Sequence, residues 1–346
     1  MSKMFTLLKQ LCKLNGGSGD ENRIAEFIIS NINTERAVVR RDNLGNVLVF
    51  KKGKNTPTNR VMFAAHMDEV AFIVTSVTKD GFLRFAPVGG IAPDVVFGRR
   101  VVFENGTHGV IAGKPVHLLD TKEKSLQPSV TKDLMIDIGA ASADETGFFG
   151  GEYCYFDGEY SEFGGAGNNL IRSKALDDRI GCAIMLDMLG SELDYDAVFA
   201  FTVQEEVGCR GAAVAAFNIE PDICVVLEAT TACDTAGISG AERICEVGAG
   251  PVIGFMDKST AYDRKLYNLA FDTALDCKIK AQTKTMIAGG NDAGAIHKAI
   301  CGVRTIAVSA PTRYLHTPAC VADRNDILQM RELAEKLLCK FAMLKE

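Results

Sequence analysis

Apolar and polar positions change their rhythm three times along this chain. Phe5, Leu7, Leu8, Leu11 and Leu14 form one apolar stripe at helical spacing, and Ile24, Phe27, Ile28 and Ile32 form a second. Between them lies NGGSGDE, where Ser18 and Glu21 have the spacing of a capping box, so two helices are predicted in the first 35 residues. AVVRRDNLGNVLVFKKG then reads as a hairpin about the Asn43–Gly45 turn, and RVMFAAHM reads as a fully buried strand. From about residue 70 to 163 the helical period disappears. Short β-type runs (AFIVTSVT, GFLRFAPVG, RRVVFE, HGVIAG) alternate with glycine and proline turns, which predicts a compact β unit. After GGAGNNLI the chain alternates again: helix DDRIGCAIMLDMLG, strand DAVFAFTV, helix RGAAVAAF, strand DICVVLEAT, helix DAGAIHKAI, strand GVRTIAVSA. An amphipathic helix, ILQMRELAEKLLCKF, comes last.

Strands alternating with helices imply a sheet covered on both faces. The predicted fold is α/β: a mixed central sheet flanked by helices, formed by residues 1–69 and 164–346, with a small barrel-like β domain inserted at 70–163. The length of 346 residues suits two units better than one core.

Composition narrows the function classes. A net charge of −6 and the lack of any basic run argue against nucleic acid and against an anionic membrane surface. No apolar stretch approaches the roughly 18 residues that a membrane span needs. The first residues lack the apolar core and small-residue cleavage site of a signal peptide. Eleven cysteines, scattered and without a CxxC pair, fit a reducing compartment better than a disulfide framework, so a cytoplasmic protein is expected.

Candidate chemistry sits where apolar runs stop. In an open α/β sheet, ligands bind outside the carboxyl ends of the strands. RVMFAA runs into His66 and Asp68, FAFTVQ into Glu205 and Glu206, ICVVL into Glu228, and TIAVSAPTRYL into His316; LDDR brings Asp177 and Asp178 to the start of a helix. Each has an ordinary explanation when taken singly. A lone histidine can end a strand, two aspartates can cap a helix and favour its dipole, and a glutamate pair can meet arginines at a domain boundary. Together they are five segments ending in the ligand types of zinc and related divalent metals.

AHMDEV, KALDDRIG, TVQEEVGCRGA, VVLEAT and RYLHTP, in this order, resemble the tetrahedral aminopeptidases, di-metal exopeptidases often described as glutamyl aminopeptidases and historically also as cellulases. The resemblance covers most of the chain and includes the stretch MIDIGAASADETG. It implies that Asp177 bridges two divalent ions, zinc first, with cobalt or manganese as alternatives. Glu206 and His316 would complete one ion's set, His66 and Glu228 the other's. Glu205 would be the general base toward a metal-activated water. Asp68 would accept a hydrogen bond from the free nitrogen of His66, and the Asp177–Asp178 peptide would be cis. The position of Glu228 is often Asp in the family, which keeps Asp234 as a reserve ligand. The resemblance further implies peptide substrates and a homo-dodecamer of dimers, with the inserted β domain making dimer contacts and no catalytic contribution.

Two other readings stay open. A related di-metal deacylase or carboxypeptidase acting on N-acylated amino acids would share these ligands but need a cation for a substrate carboxylate. A non-catalytic binding protein would have lost a ligand or the base, and none is lost. A glycosidase is disfavoured by the absence of tryptophan and an aromatic content of 8%, and by chemistry that needs a carboxylate pair rather than two histidines. Asp292 is expected to cap the helix after it, Cys209 and Cys320 to pack, and His108, His117 and His297 to have no role in the site.

Overall fold

A computed structural model describes residues 3–119, 130–165 and 169–345. The two N-terminal helices are α1 (Lys3–Lys13) and α2 (Asn22–Ser30). The hairpin follows as β1 (Ala37–Arg41) and β2 (Val47–Lys51), and β3 (Val61–His66) is buried along its whole length. Alternate residues of β3 serve opposite cores: Phe63 and Ala65 face one apolar cluster, Met62 and Ala64 the other.

Six strands then close on themselves: β4 (Ala71–Val77), β5 (Leu83–Val88), β6 (Arg100–Phe103), β7 (His108–Gly113), β8 (Leu134–Asp137) and β9 (Tyr153–Phe156). They form a barrel in the order β4-β5-β8-β7-β6-β9, a closure that leaves no free sheet edge. Phe72 fills its interior, edge-on to Phe85 at 5.3 Å and to Phe156 at 5.0 Å.

The chain returns to the main sheet through β10 (Ser161–Phe163) and β11 (Leu170–Ser173). It continues with α3 (Leu176–Gly190), β12 (Ala197–Thr202), α4 (Arg210–Ile219) and β13 (Ile223–Thr231). The short strands β14 (Val252–Ile253) and β15 (Gln282–Thr283) flank α5 (Arg264–Asp276), and β16 (Arg304–Arg313), β17 (Cys320–Asp323) and α6 (Arg324–Ala342) complete the fold. The sheet has eleven strands along the path β1-β2-β12-β3-β13-β16-β17-β11-β10, with β14 and β15 attached beside β16. Helices α1, α2, α3, α5 and α6 cover one face, and α4 covers the other. Helix α3 is apolar almost all round because it is buried between α1 and strands β3 and β13.

The central strands β12, β3, β13 and β16 are mutually parallel, so their carboxyl ends share one edge. That single fact gathers the strand-end residues.

Three local expectations need correction. Helix α5 has no counterpart in the sequence reading, although Asp263 caps it through Leu266 N at 2.9 Å and Leu266, Ala270 and Ala274 recur at its period. The helix expected across DAGAIHKAI is only the turn Ala293–Ile296. Ser18 and Glu21 form no capping box: Glu21 precedes α2 without a side-chain cap, and both side chains turn toward the strand ends. Among the described residues, no helix is long and apolar enough to cross a membrane.

Candidate active site

Asp177 stands at the centre. Its Oδ1 lies 3.1 Å from His66 Nε2, and its Oδ2 lies 3.5 Å from His316 Nε2. His66 Nε2 is also 3.5 Å from Glu228 Oε1, while His316 Nε2 is 3.4 Å from Glu206 Oε2. The two oxygens of one carboxylate thus face two half-sites, each with its own imidazole and its own glutamate. Among the described residues, the donor atoms of Asp177, Glu206 and His316 lie within 4.8 Å of one another, as do those of His66, Asp178 and Glu228.

Each side chain is delivered by local geometry. His66 ends β3, in register with Thr202 of β12. Glu228 lies inside β13 rather than at its end. The ladder to β3 stops at Val226, so the next inward-pointing position, Glu228, is paired only with Ser309 of β16 and is free to face His66. His316 sits three residues beyond β16 in a left-handed conformation (φ 58°). Its Nδ1 bonds to the carbonyl of Gly90, from the loop after barrel strand β5, at 2.5 Å. A carbonyl there fixes the ring so that Nε2 points into the site. The barrel therefore touches the centre, where the sequence reading gave it no part.

The peptide between Asp177 and Asp178 is cis, and both residues lie outside helical φ/ψ. The two readings of LDDR coexist: Asp178 Oδ1 accepts Gly181 N at 2.9 Å as a helix cap, while Asp177 faces the cluster. Asp178, read from sequence only as a cap or cis partner, belongs to the donor group around His66, and its Oδ2 is buried without a partner. Behind this point, Glu69, Lys174 and Arg179 form a buried ionic group. Lys174 Nζ lies 2.6 Å and 2.8 Å from the two Glu69 oxygens, and Arg179 donates to the carbonyls of Leu11 and Gly16.

Asp68 accepts from His66 through its backbone and uses its side chain elsewhere. The Nδ1 hydrogen bond of His66 goes to the main-chain oxygen of Asp68 at 3.0 Å, with the carboxylate Oδ1 at 3.5 Å. The carboxylate itself accepts Glu205 N at 3.0 Å and Glu206 N at 3.1 Å. Asp292 forms no side-chain cap either; its Oδ2 accepts Thr202 Oγ1 at 2.5 Å. Asp234, the reserve ligand, is held by Arg313 at 2.6 Å and 2.7 Å and stays out of the cluster.

Charge explains why such a cluster wants cations. Burial, with help from neighbouring carboxylates, pushes the carboxyls of Asp178, Glu205 and Glu228 well above their ordinary range against the pull of His66. Glu206 is pushed up to about 8 by burial and Asp177, against the pull of His316. Burial alone would raise Asp177 too, but its bonds to His316 and His66 take it far below the usual carboxylate range. Burial lowers the basicity of His316, yet Asp177, Glu206 and the Gly90 carbonyl outweigh it and hold the ring at about 9. So many buried carboxylates can be ionised together only beside positive charge. Two imidazole nitrogens among carboxylate oxygens are donors that divalent cations accept, and the orphaned Asp178 oxygen adds to the fit.

The cluster opens into a cavity of about 390 Å³, which Lys284, Asp257, Asn291 and Leu315 also line. Cys209 Sγ lies 3.6 Å from Glu205 Oε1, but burial and nearby carboxylates push its thiol far up, so it stays protonated. All eleven cysteines are free. His108 lies on the barrel, 3.6 Å from Asp157, and His297 bonds to the Ala293 carbonyl at 2.7 Å.

Residues 45–333 match the family described as M42 glutamyl aminopeptidase. A glutamyl aminopeptidase of Lactococcus lactis subsp. cremoris is 32% identical over 97% of this chain and 96% of its own length. Among solved structures, an aminopeptidase from the archaeon Desulfurococcus kamchatkensis superposes with a TM-score of 0.89 at 32% identity, covering 96% of this chain and 94% of that one. The Pyrococcus horikoshii TET1 peptidase, which assembles into a tetrahedron or a large octahedral shell, superposes with a TM-score of 0.83 at 32% identity over 97% and 99% of the two chains. The chain belongs to the M42 glutamyl aminopeptidase family and is a peptide hydrolase of aminopeptidase type.

Proposed function

We propose that this protein removes N-terminal residues from short peptides at a site for two divalent cations centred on Asp177. The observation that carries the reading is the division of Asp177: one oxygen toward His66 at 3.1 Å, the other toward His316 at 3.5 Å, each imidazole with its own glutamate. Asp177, Glu206 and His316 would hold one cation, Asp177, His66 and Glu228 the other, with Asp178 close enough to assist the second. When bound, such a pair supplies Lewis acidity to a peptide carbonyl and to water.

The chain's own groups do the rest. Glu205 takes a proton from the water whose oxygen bonds to the carbonyl carbon. As the C–N bond breaks, Glu205 returns that proton to the departing amine. Glu228 or another unoccupied carboxylate oxygen of the cluster pairs with the free ammonium of the substrate, and this confines cleavage to the chain's first residue. The first side chain of the substrate would sit in the cavity of about 390 Å³ beside the cluster. Zinc, cobalt and manganese all suit these nitrogen and oxygen donors. The TET1 relative supports a closed homo-oligomeric shell, with the barrel unit, residues 70–163, making contacts between subunits.

Lys284 in the cavity is the feature on which a deacylase reading would draw. The test is a panel of aminoacyl anilides against N-acylated amino acids, using chelator-stripped protein and protein reloaded with each metal, with particle size measured in parallel. The stripped protein is expected to be inactive, one metal to restore cleavage of substrates with a free amine, and the particle to exceed a dimer. Activity confined to the acylated set would overturn the reading.

A further inference from the structure

Strand β12 ends at Thr202, and the chain leaves the sheet through Val203–Glu206. Four consecutive backbone N–H groups there each donate to a side chain from elsewhere. Val203 N donates to Asn46 Oδ1 at 3.0 Å and Gln204 N to Glu21 Oε1 at 3.1 Å. Glu205 N donates to Asp68 Oδ1 at 3.0 Å and Glu206 N to Asp68 Oδ2 at 3.1 Å. The carbonyls of Val203, Gln204 and Glu205 meanwhile accept from the first turn of α4 and the loop before it.

We infer that Ser18, Glu21 and Asn46 are positioning residues of this turn, acting with Asp68 to fix the directions in which Glu205 and Glu206 leave the backbone. The inference rests on the roles proposed above for that pair. Two neighbouring side chains must diverge, one toward the substrate and one toward His316, so a small rotation of the turn misplaces both. A strand exit has no ladder partner to prevent such a rotation. Gln204 is moreover left-handed (φ 57°), a conformation that a residue with a Cβ holds only when its surroundings impose it.

The acceptors are held in their turn. Asn46, Glu21 and Asp68 are all buried. Asn46 Nδ2 donates to the Gly211 carbonyl at 2.9 Å, Gly19 N donates to Glu21 Oε1 at 2.8 Å, and Ser18 Oγ donates to Asp68 Oδ2 at 2.6 Å. The loop carrying Ser18 and Glu21 is wedged against the barrel. A Cβ on Gly17 would stand 2.6 Å from the Ala71 Cβ, so only glycine fits there, and Tyr153 of β9 donates from its hydroxyl to the Ser18 carbonyl at 2.8 Å. This explains what NGGSGDE is for, once it is not a capping box.

The test compares full-length Glu21→Ala, Glu21→Gln and Ser18→Ala with the parent. For Glu21→Ala and Ser18→Ala, kcat is expected to fall by about 10- to 100-fold, as losses behind a metal site do, with KM little changed and metal content per subunit retained. Glu21→Gln keeps an acceptor oxygen for Gln204 N and is expected to keep most of kcat. In chelator-stripped protein, amide exchange in a peptide covering residues 203–207 should quicken in the two alanine variants and not in Glu21→Gln. Parental kcat and exchange in both alanine variants would overturn the inference. So would Glu21→Gln failing as badly as Glu21→Ala, the mark of a merely structural role. If Glu21→Ala does not fold, Ser18→Ala carries the comparison. A parent protein inactive with every metal would sink the proposed site instead, and the exchange experiment would still judge the turn.

Discussion

The barrel and the main sheet fill their interiors with opposite materials. Within the barrel, among the described residues, Thr146 is the one buried polar side chain, and the rest of the core is an apolar cluster around Phe72, Phe85 and Phe156. The carboxyl edge of the main sheet buries His66, Asp68, Glu69, Lys174, Asp177, Asp178, Arg179, Glu228 and Asp292 within one region. Burying a charge without a partner is costly, so an edge of this kind does not exist for stability's sake. It persists because a large ordinary core, on both faces of the sheet, offsets it. The barrel joins the site through its backbone and its rim, with the Gly90 carbonyl on His316 and the Tyr153 hydroxyl on Ser18. Chemistry and scaffold are divided between the units, while positioning is shared.

The sharpest way to break this contrast is at Glu205. Glu205→Gln keeps the shape of the side chain and removes the proposed base, so kcat should fall by about 10²- to 10⁴-fold. The melting temperature should not fall, because an amide replaces a carboxyl that burial already disfavours in its charged form. A steady-state assay and a melt on the same sample read both quantities. Stability falling together with rate would mean that the sheet edge is a structural ion network after all.

The converse experiment belongs in the barrel. Phe103 is 2% exposed and packs against Phe148 with ring centroids 4.5 Å apart. Phe103→Ala should cost about 3–5 kcal/mol of stability as a cavity opens. Turnover per folded molecule should hold, since no chemical group is lost. A several-fold loss of kcat in fully folded protein would show that the barrel's packing reaches the site.

What could be read from sequence divides along similar physical lines. The periodicities of β3, β12 and β13 were legible because a buried strand must be apolar throughout, and the interruption by His66 or Glu228 was legible because polarity there needs a reason. That these ends converge follows from parallel pairing. Short-range patterns misled where a distant partner outbid a local one. Ser18 and Glu21 have capping-box spacing, but Asp68 and Gln204 N compete for the same atoms. Asp292 has the place of a cap, yet Thr202 takes its carboxylate. Asp68 accepts from His66 as its place two residues on suggests, but through its carbonyl, because its carboxylate is occupied by two backbone amides. Gly90 gave no signal at all: a glycine contributing only its carbonyl looks like any turn.

Asp234 gives the mildest test, and it bears on the same distinction between a ligand and a structural partner. From sequence it was a reserve ligand; in the fold Arg313 grips it with two hydrogen bonds at 2.6 Å and 2.7 Å, and Val247 N adds a third at 3.0 Å. Burial raises the Asp234 carboxyl, but the bonds from Arg313 and Val247 outweigh it and lower the pKa below its ordinary 3.8. A lowered pKa in the folded state contributes stability that is present above the ordinary value and is lost as pH falls through the lowered one. Asp234→Asn should therefore cost about 1.5–3 kcal/mol at neutral pH, the worth of a hydrogen bond to a charged group. In melts, the gap to the parent should begin to narrow below the ordinary value of 3.8, where the unfolded chain takes up the proton, and close only as pH falls through the lowered pKa, where the folded parent loses the same charge. Metal content and kcat should be untouched, because this carboxylate has both oxygens turned away from the cluster and toward Arg313 and the Val247 amide. A variant that instead lost metal at full stability would return Asp234 to the proposed ligand set and take the His66 half-site away from Glu228.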